Sequence, residues 1–225
     1  MDTSPLFDAG MAVLLLTVII KLILFPLSKK AVITQLRMKQ IAPELEKVKE
    51  EYKDDKQVQA QKTLELYKEN GIRPFASILL IFIQLPIIFA LYKVFLQSGL
   101  PEINTELLYS FVPTPENVNV MFLGLIDITS KSWILAICAA VTNFFQIRYS
   151  MPAYTPKEGA ERTLKDDFAK SMQLQMKYVF PVVVLFIAYS ISGAIAIYWT
   201  TSNLFMIGQE LVLRKHKRKH EQGQD

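Results

Sequence analysis

The feature that most constrains this chain is an alternation of long apolar runs with strongly charged connections. The runs cover residues 9–27, 75–96, 132–147 and 178–213. A helix that crosses a membrane needs about 20 mostly apolar residues, with some latitude where the bilayer is thinned. The last run is 36 residues long, too many for one span, and Ser190, Ser192 and Gly193 interrupt it near its middle. It therefore reads as two short spans joined by a tight turn. A hydrophobic share of 51% agrees with a helical membrane protein. The expected fold is all-α: a polytopic membrane protein with five transmembrane helices. The first run has no basic segment before it and no small-residue cleavage site after it, so it is expected to be a retained anchor rather than a signal peptide.

Charge orients these spans. Of 25 Lys and Arg residues, 11 lie in 28–74, six in 148–177 and five in 214–219. Residues 97–131 hold only Lys131, and Ser190–Gly193 holds none. Under the positive-inside rule the three basic segments are cytoplasmic. The N-terminus, with Asp2 and Asp8, then faces outward, and the C-terminus is cytoplasmic. Both ends of 178–213 fall on the cytoplasmic side, which independently supports a two-span hairpin. Trp133 is expected at the outer interface and Tyr149 and Tyr178 at the inner one, with Lys93 snorkelling near the outer end of its span. The expected segments are 1–29, N-terminus and first span; 30–74, a cytoplasmic helical hairpin; 75–96, second span; 97–131, an external loop; 132–148, third span; 149–177, a cytoplasmic loop; 178–213, fourth and fifth spans; and 214–225, a basic tail.

Within 30–74, Ile41, Leu45, Val48 and Tyr52 recur at helical spacing, and Ala60, Leu64 and Tyr67 extend the stripe beyond a polar break at Lys53–Lys56. Gly71 and Pro74 are placed to end the second arm. The plain reading is a solvated hairpin whose stripe glues its arms together. The functional one makes Ile41, Leu45 and Val48 part of a docking platform for a nascent chain or partner.

Lys21 is the sharpest single residue. A cation at mid-span costs about 2.5–3.5 kcal/mol on insertion scales and normally faces a wet cavity or a partner. Thr17 and Ser28 share roughly its helical face. Other spans offer Ser77 and Gln84, then Thr142, Asn143 and Gln146, then Thr200, Thr201 and Asn203. Together they suggest a hydrophilic cavity lined by several helices. Against this, hydroxyls and amides in membrane helices often serve only as interhelical hydrogen bonds. Glu210, near the end of the last run, reads as interfacial.

Several function classes lose support. The eight glycines form no phosphate loop. His216 and His220 both lie in the polar tail, so no membrane histidine serves a protease dyad or metal site. Cys138 is the only cysteine, which excludes an intrachain disulfide. No deep carboxylate supports aspartyl proteolysis or proton coupling. The chain is not expected to be an enzyme or to need a cofactor or metal.

The segments Lys21–Ser28 (KLILFPLS), Leu66–Pro74 (LYKENGIRP), Gln84–Tyr92 (QLPIIFALY) and Ser192–Leu204 (SGAIAIYWTTSNL) resemble the core signatures of the YidC/Oxa/Alb insertases, in that family's order and spacing. The resemblance implies five helices around a hydrophilic groove open to cytoplasm and lipid, with a mobile cytoplasmic hairpin. It implies further that Tyr198 and Trp199 lie near the path of substrate helices. Lys21 occupies the place where bacterial members usually carry an arginine, which keeps the charge but loses the planar fork. The match includes neither the extra leading span nor the large external domain of some relatives.

The expected function is that of a membrane protein insertase and chaperone in the cell membrane, acting through a positively charged groove without nucleotide hydrolysis. The alternative is a small-solute or anion channel that uses Lys21, for which the sequence offers no internal repeat. A third reading is a chaperone for spans inserted by another translocon. Expected partners are nascent membrane proteins, the ribosome and anionic lipids, the last two through Arg214, Lys215, Lys217, Arg218 and Lys219. A Sec translocon is a further candidate, and no DNA partner is expected.

Overall fold

The computed structural model describes residues 8–72, 75–97, 110–111, 118–150 and 171–222. In chain order the elements are α1 (Ala9–Ile23), α2 (Phe25–Gln40), α3 (Ala42–Glu51), α4 (Lys56–Glu69), α5 (Phe75–Gln97), β1 (Met121–Phe122), β2 (Ile126–Asp127), α6 (Trp133–Ser150), α7 (Ser171–Ile191) and α8 (Gly193–Gln222). The described residues are mostly helical. The helices form two compact units, one from 1–23, 85–149 and 154–208, the other from 24–84, 150–153 and 209–225.

Helix boundaries follow backbone chemistry. The first apolar run is broken at Leu24, where Pro26 lacks the N–H that a continuous helix would need, and the carbonyl of Leu24 instead accepts from Leu27 and Ser28. In the last run the break falls at Ser192, whose backbone is extended. Within α7, Gln175–Val179 is a π-helical turn, and Phe180 donates to the carbonyl of Gln175 just ahead of Pro181, another residue with no N–H. Among the described residues, α7 is the one helix that is by itself long and apolar enough to cross a membrane, and α1 with α2 passes the same test only as a bent pair. The apolar part of α5 over Phe82–Lys93 is shorter than a full span.

The first unit has an alanine-rich core. Ala136 and Ala139 of α6, Ala188 of α7 and Ala194 and Ala196 of α8 are buried with Val13, Ile128, Leu135, Val184, Ile197 and Tyr198. Small side chains let helices approach closely, and that closeness provides packing where lipid offers no hydrophobic drive. Most of the surface of α7 remains outward, with Val179, Val182, Val183 and Phe186 exposed, an apolar face suited to lipid.

At one end of this unit, β1 and β2 pair antiparallel, Met121 with Asp127 and Phe122 with Ile126. The tight turn uses positive φ at Leu123 and Gly124. Asp8 caps α1 with one carboxylate oxygen, accepting from the Met11 N–H at 2.7 Å, and holds the turn with the other, accepting from the Leu123 N–H at 2.9 Å. The carbonyls of Ser130 and Ile128 accept from the first N–H groups of α8, at Gly193 and Ala194. Gly193 allows this close approach, since a Cβ there would lie 3.1 Å from the Ile128 Cα and its neighbours would have to shift to admit it.

In the second unit, α3 and α4 form a helical hairpin. Asp55 caps α4 by accepting from the N–H groups of Gln57 and Val58, both at 3.0 Å. The helix ends in a Schellman motif: Ile72 donates to Tyr67 and Gly71 to Lys68, with Gly71 at φ +59°. Ile41 is buried at the bend between α2 and α3, where its carbonyl accepts from the Leu45 N–H, and Leu45, Val48 and Tyr52 continue its face, half-buried. One expectation needs correction. In α4 the residues Ala60 and Leu64 are exposed, Leu64 by 65%, and the half-buried face instead carries Val58, Gln59, Thr63, Leu66 and Tyr67. A stripe cannot be extrapolated across a turn, because Asp55 starts the second helix in a register of its own. Pro74 lies outside the described residues.

Candidate functional site

In the first unit α1 buries Gly10, Val13, Thr17 and Lys21 along one stripe and exposes Leu15, Leu16, Ile19, Leu22 and Ile23. Lys21 is 9% exposed, so its ammonium is carried on the protein-facing side of an apolar helix, one turn beyond Thr17. The hydroxyl of Thr17 donates to the Val13 carbonyl at 2.6 Å, which leaves its methyl and oxygen lone pairs to shape the surroundings. On α6, Asn143 is buried, and its Oδ1 has no hydrogen-bond partner among the described residues. A buried acceptor without a partner costs about 1–3 kcal/mol and is a natural place for water. Gln146, one turn on, is half-buried.

Other expected members of the polar set serve structure. Asn203 of α8 is buried and donates from Nδ2 to the Ala139 carbonyl and to Thr142 Oγ1, both at 3.3 Å, tying α8 to α6. Thr200 donates back to Ala196 at 2.8 Å. Tyr198 is 1% exposed within the alanine-rich core. The 100° step of the helix separates it from Trp199, which is half-buried against that core.

The second unit holds the remainder. The hydroxyl of Ser28 is not open to a groove. It lies 3.0 Å from Gln209 Oε1 and 2.9 Å from Gln209 Nε2, a buried side-chain pair between α2 and α8. Gln84 is half-buried, and the side chain of Ser77 lies outside the described residues.

Glu210, expected at the interface, is 2% exposed. Its Oε1 accepts from Arg214 Nη2 at 2.6 Å and Nε at 3.1 Å and lies 3.6 Å from Lys39 Nζ, while its Oε2 accepts from Ser150 Oγ at 2.7 Å. Burial pushes the Lys39 ammonium below its usual lysine range, and the Glu210 carboxylate works against that shift. Arg214 is therefore held by its own helix instead of projecting with the tail. Lys215 is exposed, and the side chains of Lys217, Arg218 and Lys219 lie outside the described residues. The sequence did contain a signal for this cluster: Glu210 and Arg214 stand at i,i+4. The signals for Lys39 and Ser150 are purely tertiary. Among the described residues, no group of His, Cys, Asp and Glu is arranged to hold a metal ion.

The profile of the 60Kd inner membrane protein family matches residues 3–221. The chain is 34% identical over 223 residues to the membrane protein insertase YidC of Clostridium tetani, covering 99% of this chain and 89% of that relative. It is 30% identical over 206 residues to that of Fusobacterium nucleatum, covering 92% and 86%. A longer relative in Francisella tularensis subsp. novicida, also a membrane protein insertase YidC, is 28% identical over 207 residues, which are 92% of this chain and 32% of that protein.

Proposed function

We propose, from the premise that this chain belongs to the 60Kd inner membrane protein family, that it integrates nascent membrane proteins by hosting their polar flanks beside Lys21. The chain is a membrane protein and a membrane protein insertase, and its substrates are nascent membrane proteins. The comparisons give no support to the anion-channel alternative. The finer reading is five spans around a hydrophilic groove, with the N-terminus outside and the C-terminus cytoplasmic. It also assigns the ribosome, anionic lipids and a Sec translocon as partners, the first two through the basic tail.

One observation carries the mechanism: Lys21 is buried on the same stripe as Gly10, Val13 and Thr17, while Leu15, Leu16, Ile19, Leu22 and Ile23 on the opposite side of α1 are exposed. A cation there lowers the cost of bringing acidic or hydrated flanks into an apolar environment. The orphan acceptor of Asn143 supports water in the same unit. Release of the apolar segment into lipid supplies the driving force, so the cycle needs no nucleotide. The half-buried Leu45 and Val48 leave part of the hairpin stripe available for a client chain, and replacing Ile41, Leu45 and Val48 by Ser is expected to impair insertion with the membrane core still folded.

The test is reconstitution of the purified chain alone with paired substrates, with and without acidic residues in the translocated tail. Lys21→Arg is expected to keep activity, Lys21→Ala to lose it for the acidic substrate, and Lys21→Glu to be worse still. A substrate with a short uncharged tail should depend far less on position 21. Equal insertion by all four proteins at matched membrane levels would exclude a role for the charge.

A further inference from the structure

Glu210 is a carboxylate at the end of an apolar run, buried where a neutral residue would cost less. Removing a charge from water is expensive unless its partners are well placed. Here both oxygens are engaged, Oε1 by Arg214 and Lys39 and Oε2 by Ser150. The three partners come from the last turn of α2, the last residue of α6 and the next turn of α8, so one side chain joins three helices within the second unit.

The last turn of α2 is gripped again from its other side. Arg37 lies two residues before Lys39, about 200° around the helix, and its Nη1 donates to the carbonyls of Gly71 at 2.9 Å and Asn70 at 3.4 Å. Those carbonyls close the C-terminus of α4, where a cation is favoured by the helix dipole. Gly71 fits this contact closely, since a Cβ would lie 2.6 Å from the guanidinium. The last turn of α2 is thus held on one side through Lys39 by Glu210 and Arg214, and on the other through Arg37 by the end of α4, the helix itself linking the two.

We propose that Glu210 is a positioning residue for insertion: by holding Lys39 it fixes the last turn of α2 and, through Arg37, sets the root of the α3–α4 hairpin. This role rests on the insertase reading for its activity readout alone. Glu210 touches no substrate. Its effect is on where the hairpin stands when a client chain arrives.

The experiment uses the full chain in vesicles of phosphatidylethanolamine and phosphatidylglycerol. Cys138 is replaced by Ser and a spin label is placed at Ala60→Cys, an exposed position on α4, with a control label at Leu125→Cys in the β-turn. Glu210→Gln is expected to raise mobility at position 60 but not at 125, and to lower insertion per folded molecule at least threefold. Lys39→Gln, at a partly exposed side chain that folding tolerates better, should shift both readouts in the same direction by less. Exchanging the charges with Lys39→Glu and Glu210→Lys keeps the same three charges and should bring both readouts back to within twofold of wild type. An unmoved label in Lys39→Gln, or a charge exchange that restores neither readout, overturns the proposal. Wild-type protein that inserts no substrate sinks the insertase reading instead and leaves the label comparison intact.

Discussion

Ala136, Ala139, Ala194 and Ala196 fill much of the interior of the first unit beside the buried Lys21, Asn143 and Asn203, whereas the smaller core of the second unit sets Ala31, Val32, Ile41 and Ile72 beside the paired Ser28, Gln209 and Glu210. The difference follows from the solvent each unit's helices are suited to. Helices surrounded by lipid gain nothing by hiding apolar side chains from it, so their cohesion comes from close approach and dispersion, which small residues allow. Helices that emerge from the apolar runs carry charges and open helix ends, and they are joined by hydrogen bonds and ion pairs that satisfy those groups. The first unit should therefore be sensitive to added volume, and the second to lost polar partners.

The largest effect should come from volume in the first unit. Gly193→Val would press a Cβ to 3.1 Å from the Ile128 Cα and 3.0 Å from a Leu135 methyl, and is expected to destabilise by about 3 kcal/mol. Thermal unfolding in detergent should show a clear drop in midpoint. Leu64→Ser, at an exposed site on α4, should leave that midpoint unchanged. If both variants behave alike, packing is not what distinguishes the two units.

Next in size is a lost partner in the second unit. Ser28→Ala orphans the buried amide of Gln209 and should cost about 2 kcal/mol, while Ser28→Ala with Gln209→Leu should recover part of that loss in the same melt. A smaller effect is expected at the hairpin, where Asp55→Ala removes the acceptor for two N–H groups and should cost about 1 kcal/mol. Faster hydrogen exchange over the first turn of α4, with none elsewhere, is the expected signature.

The smallest effect concerns acid. The Thr129 hydroxyl, donating to Asp127 at 2.6 Å, holds that carboxyl below the usual aspartate range, against a small desolvation. A depressed folded pKa adds stability that is present above the unfolded value of about 4 and is lost as pH falls through the folded value. Proteolysis of the 118–132 loop should therefore accelerate in wild type only below about pH 4, and Asp127→Asn should flatten that dependence.

Much of the helical content could be read directly from the residues. Ser192 and Gly71 mark a break and a helix end through a polar interruption and a tolerated positive φ, which are local properties, whereas the break ahead of Pro26 and the Asp55 cap, equally local in origin, were not read from the sequence. Lys21 stood out because its insertion cost belongs to the residue itself. The candidate site was less legible. Ser28, Asn203 and Asn143 look alike as polar residues in apolar helices, yet one is paired with Gln209, one bridges α6 and α8, and one keeps an orphan acceptor. Tyr198 and Trp199 are neighbours in sequence that differ in burial because a helix turns 100° per residue.

The sequence by itself determined that this is a helical membrane chain, that its last apolar run is interrupted at Ser192 and that one helix carries a charge on an apolar background; the break at Leu24 was not read from it. Those readings follow from hydropathy, helix periodicity and the chemistry of single residues. Only the tertiary structure decided which polar groups are satisfied, that Leu64 faces outward, and that Glu210 is the buried junction of Lys39, Ser150 and Arg214. Ser150 stands 60 residues from Glu210 along the chain, and no local rule specifies which of many distant groups a folded chain will bring within hydrogen-bond reach.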